Sequence, residues 1–594
     1  MFLISWNVAG WSSTCSKIRE NFGSITEFLS RTHADIVCLQ EVKGMWQKLN
    51  DNPHAMGARD APVDITSEWE LFWSFSSAAH RGFNGVATFA RKNLTWSCDP
   101  RPFTDADDVG DGDDICSKDP LGGTNVKSKG ASTSRVKSDK VCKSDELNDE
   151  GRVLVTCHSE FILINTYVVN GRHGRRTAFM MRFVSSLKNL IARLRCETGK
   201  PVILVGDMNM SYRTQDAHWL LRRLSLSRVA ELAQFAKHTD SKEWAERFPH
   251  LPAATVTRLE SLIAEQIMQL ILGNTKATPD ADYNSISVDG IFFAGSSAHT
   301  SSDGISALVQ RVREHQKQST DQCALTSLSE LCEAGVASVC VKILTKVLAA
   351  KHRRDLFALT QYCGLPAHDD RLVEFMRVFL SELHLCDSML VQDANARTGN
   401  EFSVPCPYTC WDQSTNRRQT NEGCRIDYIL IDEQLVHMLV PCRATENNMG
   451  VADVDGSAGR EGEICINESK KLNSEAESAE KDTVQTYSTF YDEYNGQAVR
   501  IGIKRATAAG AYPAAPMDRT GLPPLTSAAK DLQFRGLPST GLYVTPPQYS
   551  DHCAVCARFE DLVLLPRTEE VKGKHRCLYR PPASLFSFVK RQRE

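Results

Sequence analysis

Six stretches of this 594-residue chain place carboxylates, amides, a tyrosine and a histidine where apolar runs end. Asn7 closes FLISWN, and Gln40 and Glu41 close DIVCLQE. Tyr167 and Asn170 close FILINTYVVN, and Asp207 and Asn209 follow PVILVG. Asp427 lies in CRIDYIL, and Asp551 and His552 open DHCAVC. Such groups suit hydrolysis of a phosphodiester. That reaction needs a charge clamp on the phosphoryl oxygens, an activated water and help for the leaving alkoxide. Carboxylates suit a hard cation, Mg²⁺ or in its place Mn²⁺, which keeps several waters and takes only one or two protein carboxylates. Glu41 is the first expected ligand and Asp551 the second. Asp207 is placed to orient or deprotonate the water, and Asn209 to fix the phosphate. His552 suits donation to a phosphate oxygen, with Asp427 holding its tautomer and favouring its charged form. Tyr167 suits the phosphate or the leaving group. Taken singly, an Asp after a strand is more often a turn former or cap, and a strand-end Glu is usually solvated. Their joint occurrence, each behind a buried strand, favours a site.

These groups need rigid elements behind them. Short β-rich runs recur at 2–8, 34–42, 85–91, 152–157, 161–169, 201–209, 424–431 and 552–559. Several are near-continuous Val/Ile/Leu, as strands covered on both faces require. Helical patterns precede two of them, at 18–32 and 176–197. The expected fold is α/β, a four-layer sandwich of two packed mixed sheets flanked by helices, with large loop insertions. The core is expected at 1–103, 151–215, 381–442 and, as a final strand, 546–565. Residues 104–150 lack apolar period and are expected to form a disordered insertion. Residues 216–380 are expected to be a partly helical insertion and 443–545 a mostly disordered one. Residues 566–594 form a tail.

Net charge is −4, so no global basic field advertises a nucleic-acid partner, and a local basic surface or a metal must offset phosphate charge. The 20 cysteines are scattered, mostly in apolar runs. That pattern reads as free thiols in a reducing compartment rather than a disulfide framework. Cys553 and Cys556 form a CxxC without a second pair at zinc-ribbon spacing, so strand thiols are the expectation. The N-terminus reads as neither a signal nor a transit peptide, and no apolar run reaches the roughly 20 residues of a membrane span.

In this order, SWNVAG, DIVCLQEVK, NTYVVNG, GDMNM, YTCW followed by GCRIDYIL, and SDHC resemble the motifs of the exonuclease III-type abasic-site endonucleases. These form a branch of the endonuclease/exonuclease/phosphatase superfamily. The resemblance implies a metal site of Asn7, Glu41, Asp207, Asn209, Asp551 and His552. It implies scissile-phosphate contacts from Tyr167 and Asn170, with Asp427 behind His552. Arg172, in NGRHGRR, matches a DNA-contacting position loosely and reads equally as a solvated loop charge. Cys410, Trp411, Cys424 and Ile426 fall on the positions that build the pocket for an extruded abasic sugar, whose small size rejects a full base.

Ala9 stands where the first eukaryotic class has Asp, and cysteines at 410 and 424 replace Phe and Trp. GVATFARK and YTCW are instead similar to the second class, which implies 3′–5′ exonuclease and 3′-phosphodiesterase activity beside incision 5′ to abasic sites. A smaller residue at 410 implies a roomier pocket. The tail PASLFSFVKRQRE resembles a box that binds the sliding clamp PCNA, with Leu585, Phe588 and Val589 as its apolar plug, and reads equally as a frayed amphipathic end. Double-stranded DNA with abasic sites or blocked 3′ ends is the expected partner. The chain is expected to be monomeric, free of membrane, and nuclear with an organellar pool left open. The competing expectations are a weakly active or inactive repair scaffold, and a superfamily phosphodiesterase acting on RNA or phosphoinositides.

Overall fold

The computed structural model describes residues 1–60, 64–77, 82–108, 143–170, 176–274, 287–288, 290–293, 310, 327–333, 335–368, 370–391, 408–415, 417, 422–440, 540–543, 549–569, 572–573 and 578–579. Two mixed sheets form its centre. In spatial order the first runs Gly541–Tyr543, Ala554–Arg558, Phe2–Asn7, Ile36–Gln40, Val86–Arg91 and Trp69–Ser74. The second runs Leu385–Asp387, Asp427–Asp432, Val202–Asp207, Ile162–Tyr167, Val153–Cys157, Ser97–Asp99 and Lys572–Gly573. Phe2–Asn7 is parallel to Ile36–Gln40, and Ile162–Tyr167 to Val202–Asp207.

Period-2 alternation explains the layers. Leu3, Leu163, Ile203, Val205, Ile429 and Ile431 face the partner sheet and share one core. Their sequence neighbours face outward. Ile4, Trp6, Val37 and Leu39 pack on helices Trp11–Phe22 and Ile25–Arg31. Ile162, Ile164, Val202 and Leu204 pack on Thr177–Thr198 and Asp370–Glu382. The result is the expected order of helix, sheet, sheet, helix. No helix among the described residues is long and apolar enough to cross a membrane.

The expected insertions need correction at their edges. Residues 104–108 and 143–150 belong to the core rather than to a disordered insertion. Lys143–Asp149 is helical, Leu147 is buried, and Asp107 and Asp108 pair with Arg193 and Arg182 of the long outer helix. Long-range ion pairs order this polar sequence, so local apolar period could not reveal it. Residues 216–380 hold more than helices. A five-stranded sheet, Ser287–Val288, Ile291–Phe293, Val336–Cys340, Arg223–Ser225 and Gly364–Leu365, packs with helices such as Leu226–His238 and Ala253–Asn274 around its own core. Its strands have two to five residues, too short to show alternation. The helix Asp370–Glu382 covers the second sheet and is core, not insertion. Gly541–Tyr543, expected in the third insertion, is an edge strand of the first sheet. The tail also packs back on the core: Tyr579 is buried and its N–H donates to Leu71 O at 2.9 Å.

One buried ion cluster joins three parts. Arg425, fully buried, donates from Nε and Nη2 to the two Asp216 oxygens, each at 3.0 Å, and from Nη1 to Asp387 Oδ2 at 2.6 Å. Asp216 stands at the root of the insertion, Asp387 on the second sheet's edge, and Arg425 beside Asp427. Removing one member leaves a buried charge uncompensated. Arg425→Met is expected to cost about 3–5 kcal/mol in denaturant unfolding. A loss under about 1 kcal/mol, no more than a surface change, would show the cluster to be dispensable.

Candidate active site

The alternation that builds the inter-sheet core also aims the polar groups. Asn7, Tyr167, Asp207 and Asp427 keep the inward parity of Leu3, Leu163, Ile203 and Ile429, so they point between the sheets at one end of the sandwich. Asp207 and Asp427 are direct partners across antiparallel strands. Gly206 must precede Asp207, because its φ is +140° and a Cβ there would lie 1.8 Å from Thr166 O. The loops after the strands are held in left-handed conformations at Ala9, Glu41, Lys43 and Asn209, with φ near +50°. Such residues cost of order 1 kcal/mol each and cluster where surroundings impose them.

Asn7 Nδ2 donates to Asp207 Oδ2 at 2.9 Å, and the Asn209 amide donates to Asp207 Oδ1 at 2.7 Å. His552 Nδ1 and Asp427 Oδ2 are 2.8 Å apart. Burial opposes charge on His552, but the Asp427 carboxylate outweighs it and holds the imidazole well above the usual histidine pKa. Asp207 is pushed up to about 8 by burial and by the Asp427 carboxylate, against the pull of His552 and the Asn209 amide. Glu41 accepts from the Tyr167 hydroxyl and pairs with Lys43 Nζ at 2.8 Å. Burial would raise its pKa, yet these two donors hold it below the usual range. Burial and then Glu41 push the Tyr167 phenol far up, so it stays a donor.

Ligand atoms of Asp207, Asp427 and His552 all lie within 4.8 Å of one another, as do those of Cys410, Asp551 and His552. Asp427 Oδ1 is buried and makes no hydrogen bond. Two close carboxylates, one raised in pKa and the other with an orphaned oxygen, fit a hard divalent cation.

The expected residues are not all used as expected. Asn170 Nδ2 donates to Asn209 Oδ1 at 3.2 Å, and Asn209 Nδ2 donates to Val168 O at 2.8 Å. The Asn209 carboxamide thus also ties the loop after the strand to Val168 and Asn170. Glu41 lies within electrostatic reach of Asp207 and His552 but outside both donor clusters. Cys410 and Cys424 are register partners on a hairpin of Cys410–Trp411 and Gly423–Cys424, half-buried with hydrogen-bonded thiols. Trp411 does not reach an opening: it is 1% exposed and packs with Tyr408 and Cys553. Its size makes it the plug beneath the hairpin. Ile426 is nearly buried, and its carbonyl receives the Met208 N–H. Arg172, Leu585, Phe588 and Val589 lie outside the described residues.

Three supporting residues were missed. Thr409 Oγ1 accepts from the Ile426 and Asp427 amides at 3.1 and 3.2 Å. Ser550 Oγ donates to Asn7 O at 2.7 Å and accepts from His552 N at 3.1 Å. Lys43 bridges Glu41 and Ala9 O. Each sits inside a quoted motif, YTCW, SDHC or QEVK, which was the available signal.

The model of the endonuclease/exonuclease/phosphatase family matches residues 4–304, half of the chain. The chain belongs to this family. Human DNA-(apurinic or apyrimidinic site) endonuclease 2 is 27% identical over 36% of this chain and 40% of its own length. The exodeoxyribonuclease of Bacillus subtilis is 24% identical, over 36% of this chain and 61% of that protein. The chain thus spans about 40% of the first of these relatives. The crystal structure of the Xenopus laevis APE2 catalytic domain aligns with 74% of this chain and 85% of that one, at TM-score 0.34 and 18% identity.

A cation held by this cluster should stabilise the fold by mass action. Saturating Mg²⁺ or Mn²⁺ is expected to raise Tm over EDTA, corresponding to about 2.7 kcal/mol at a hundredfold excess over Kd. Asp207→Asn is expected to remove the increment. An increment kept in the variant would place the cation elsewhere.

Proposed function

We propose that this chain is a DNA repair nuclease. It hydrolyses the phosphodiester 5′ to abasic sites, with 3′–5′ exonuclease and 3′-phosphodiesterase activity. The observation that carries this reading is the buried Asp207–Asp427–His552 cluster beside the cysteine hairpin, which bridges His552 directly at Cys410. The names of the curated relatives, an abasic-site endonuclease and an exodeoxyribonuclease, support the substrate class. Duplex DNA with abasic or blocked 3′ ends is the proposed partner, in the nucleus.

The chain's own groups divide the chemistry. Asp207, with one oxygen held by Asn7 and the other by the Asn209 amide, is oriented to accept the proton of the attacking water as general base. Asn7 fixes that carboxylate's orientation through Oδ2. His552, kept charged by Asp427, donates to a non-bridging phosphate oxygen as charge develops. Glu41, Asp207 and Asp551 are the carboxylates proposed to hold the cation, Mg²⁺ first and Mn²⁺ second, and the Asp427 oxygen that makes no hydrogen bond would complete the set. The chemistry that a cation there would supply is neutralisation of phosphoryl charge and support for the leaving alkoxide. Water attacks directly, so no covalent enzyme intermediate forms.

Incision of a duplex with one tetrahydrofuran abasic analogue tests the reading. The expected result is a metal-dependent cut 5′ to the lesion, reduced at least about a hundredfold by Asp207→Asn. An intact strand under both metals, with folded protein, would sink the proposal. Pocket size gives a separate prediction. Cys410→Phe is expected to slow removal of mismatched 3′ ends by about tenfold relative to abasic incision. Equal effects on both reactions would show that residue 410 does not discriminate.

A further inference from the structure

Outside the candidate site, one basic run of the chain lines a cavity. Between residues 341 and 354, VKILTKVLAAKHRR carries five Lys or Arg and no Asp or Glu, in a chain of net charge −4. This segment forms helix Val341–Val347 and the start of helix Arg353–Cys363, both in the inserted unit. Lys342, Lys346 and Arg353 line a cavity of about 230 Å³ with Leu220, and its far wall is Arg417 and Glu422 of the cysteine hairpin's loop. The single carboxylate is already engaged, 2.6 Å from Arg417. Among the described residues Lys342, Lys346 and Arg353 have no ion-pair partner. Arg353 lies 5.6 Å over the Trp219 ring, which fixes its stem.

The cavity is tied to the candidate site by backbone. His218 N donates to Gly423 O at 2.9 Å, Ala217 bridges Cys424, and Cys410 bridges His552. From Glu422 through Cys424 and Cys410 to His552 is one two-residue step along the strand and two strand spacings across it, a separation of roughly 12 Å. That is about four base pairs along a duplex axis at 3.4 Å each. A duplex seated at His552 and running toward the hairpin loop would bring its backbone to the cavity within that length.

We infer that the inserted unit and the hairpin loop together form a second phosphate-binding cleft, with Lys342, Lys346 and Arg353 holding the DNA backbone about four base pairs from the scissile bond. This rests on the DNA reading above and deepens it. The cleft supplies the local basic surface that a net acidic chain needs to hold a polyanion. Its contacts go to phosphates, so it contributes affinity and register rather than sequence preference.

The test is the salt dependence of duplex binding by the full chain, measured by fluorescence anisotropy in EDTA so that no cutting occurs. Wild type is compared with the triple variant Lys342→Gln, Lys346→Gln, Arg353→Gln. Losing three phosphate contacts is expected to flatten the slope of log K against log salt by roughly 2 to 3. In Mg²⁺ the KM for abasic incision is expected to rise about tenfold or more while kcat holds. Shortening one duplex arm below about four base pairs is expected to raise the wild-type KM and leave the triple variant's unchanged. An unchanged slope in the triple variant, or no duplex binding by wild type, overturns the inference. If wild type binds but cuts no abasic or 3′-blocked duplex, the repair reading fails and the slope comparison still decides the cleft. If the triple variant does not fold, Lys346→Gln alone is expected to flatten the slope by about 0.9.

Discussion

Two carboxylates face each other across a buried strand pair, and much of the structure follows from keeping them there. Asp207 and Asp427 are register partners, 1% and 0% exposed. Like charges directly opposite on a sheet are destabilising, and burial magnifies the effect. The surroundings answer group by group. Asn7 and the Asn209 amide each bind one oxygen of Asp207, and His552 binds one oxygen of Asp427. One oxygen of Asp427 stays without a hydrogen bond, and it is the place where a cation would complete the set. A site assembled for a cation is poorly balanced without it, the usual exchange of stability for function.

Register is the second constraint. A one-residue slip of either strand would turn its carboxylate to the helix-covered face. Two features prevent it. The inter-sheet core places Ile203, Val205, Ile429 and Ile431 on the same parity as the carboxylates, so a slip would also expose apolar surface. The Thr409 hydroxyl pins the amides of Ile426 and Asp427, and Arg425, one residue before Ile426, is clamped by Asp216 and Asp387. The strand that carries Asp427 thus enters the sheet from a point fixed in three directions.

The core and the position of its chemistry were legible because both obey a short-range rule. Near-continuous apolar strands with polar ends mark buried sheets, and parity decides which ends face inward. What stayed hidden depends on distant partners. The helix Lys143–Asp149 is polar, and Arg101 pairs with its Asp145 and Asp149. The five-stranded sheet of the insertion uses strands too brief to alternate. Trp411 carries no mark to distinguish a pocket wall from a plug, since both are large and apolar. The loop bonds of the Asn209 side chain to Val168 and Asn170 depend on a neighbouring strand end and leave no local mark. Ser550 and Thr409 act through backbone atoms, and nothing in a hydroxyl's identity announces that.

Charge ties the insertion to the site. The candidate centre holds Glu41, Asp207, Asp427 and Asp551 against His552 and Lys43, an arrangement that repels a phosphate until a cation is present. A polyanionic substrate must then be held by something other than the centre itself. The inserted unit can do this without disturbing the sandwich, because it folds around its own core of residues such as Trp219, Leu259, Val339 and Leu356. Its attachment through Asp216 and the Ala217–Cys424 bridge fixes its position against the hairpin. Separating the groups that hold the backbone from those that cut it lets the centre stay acidic enough for a cation and the chain stay net negative.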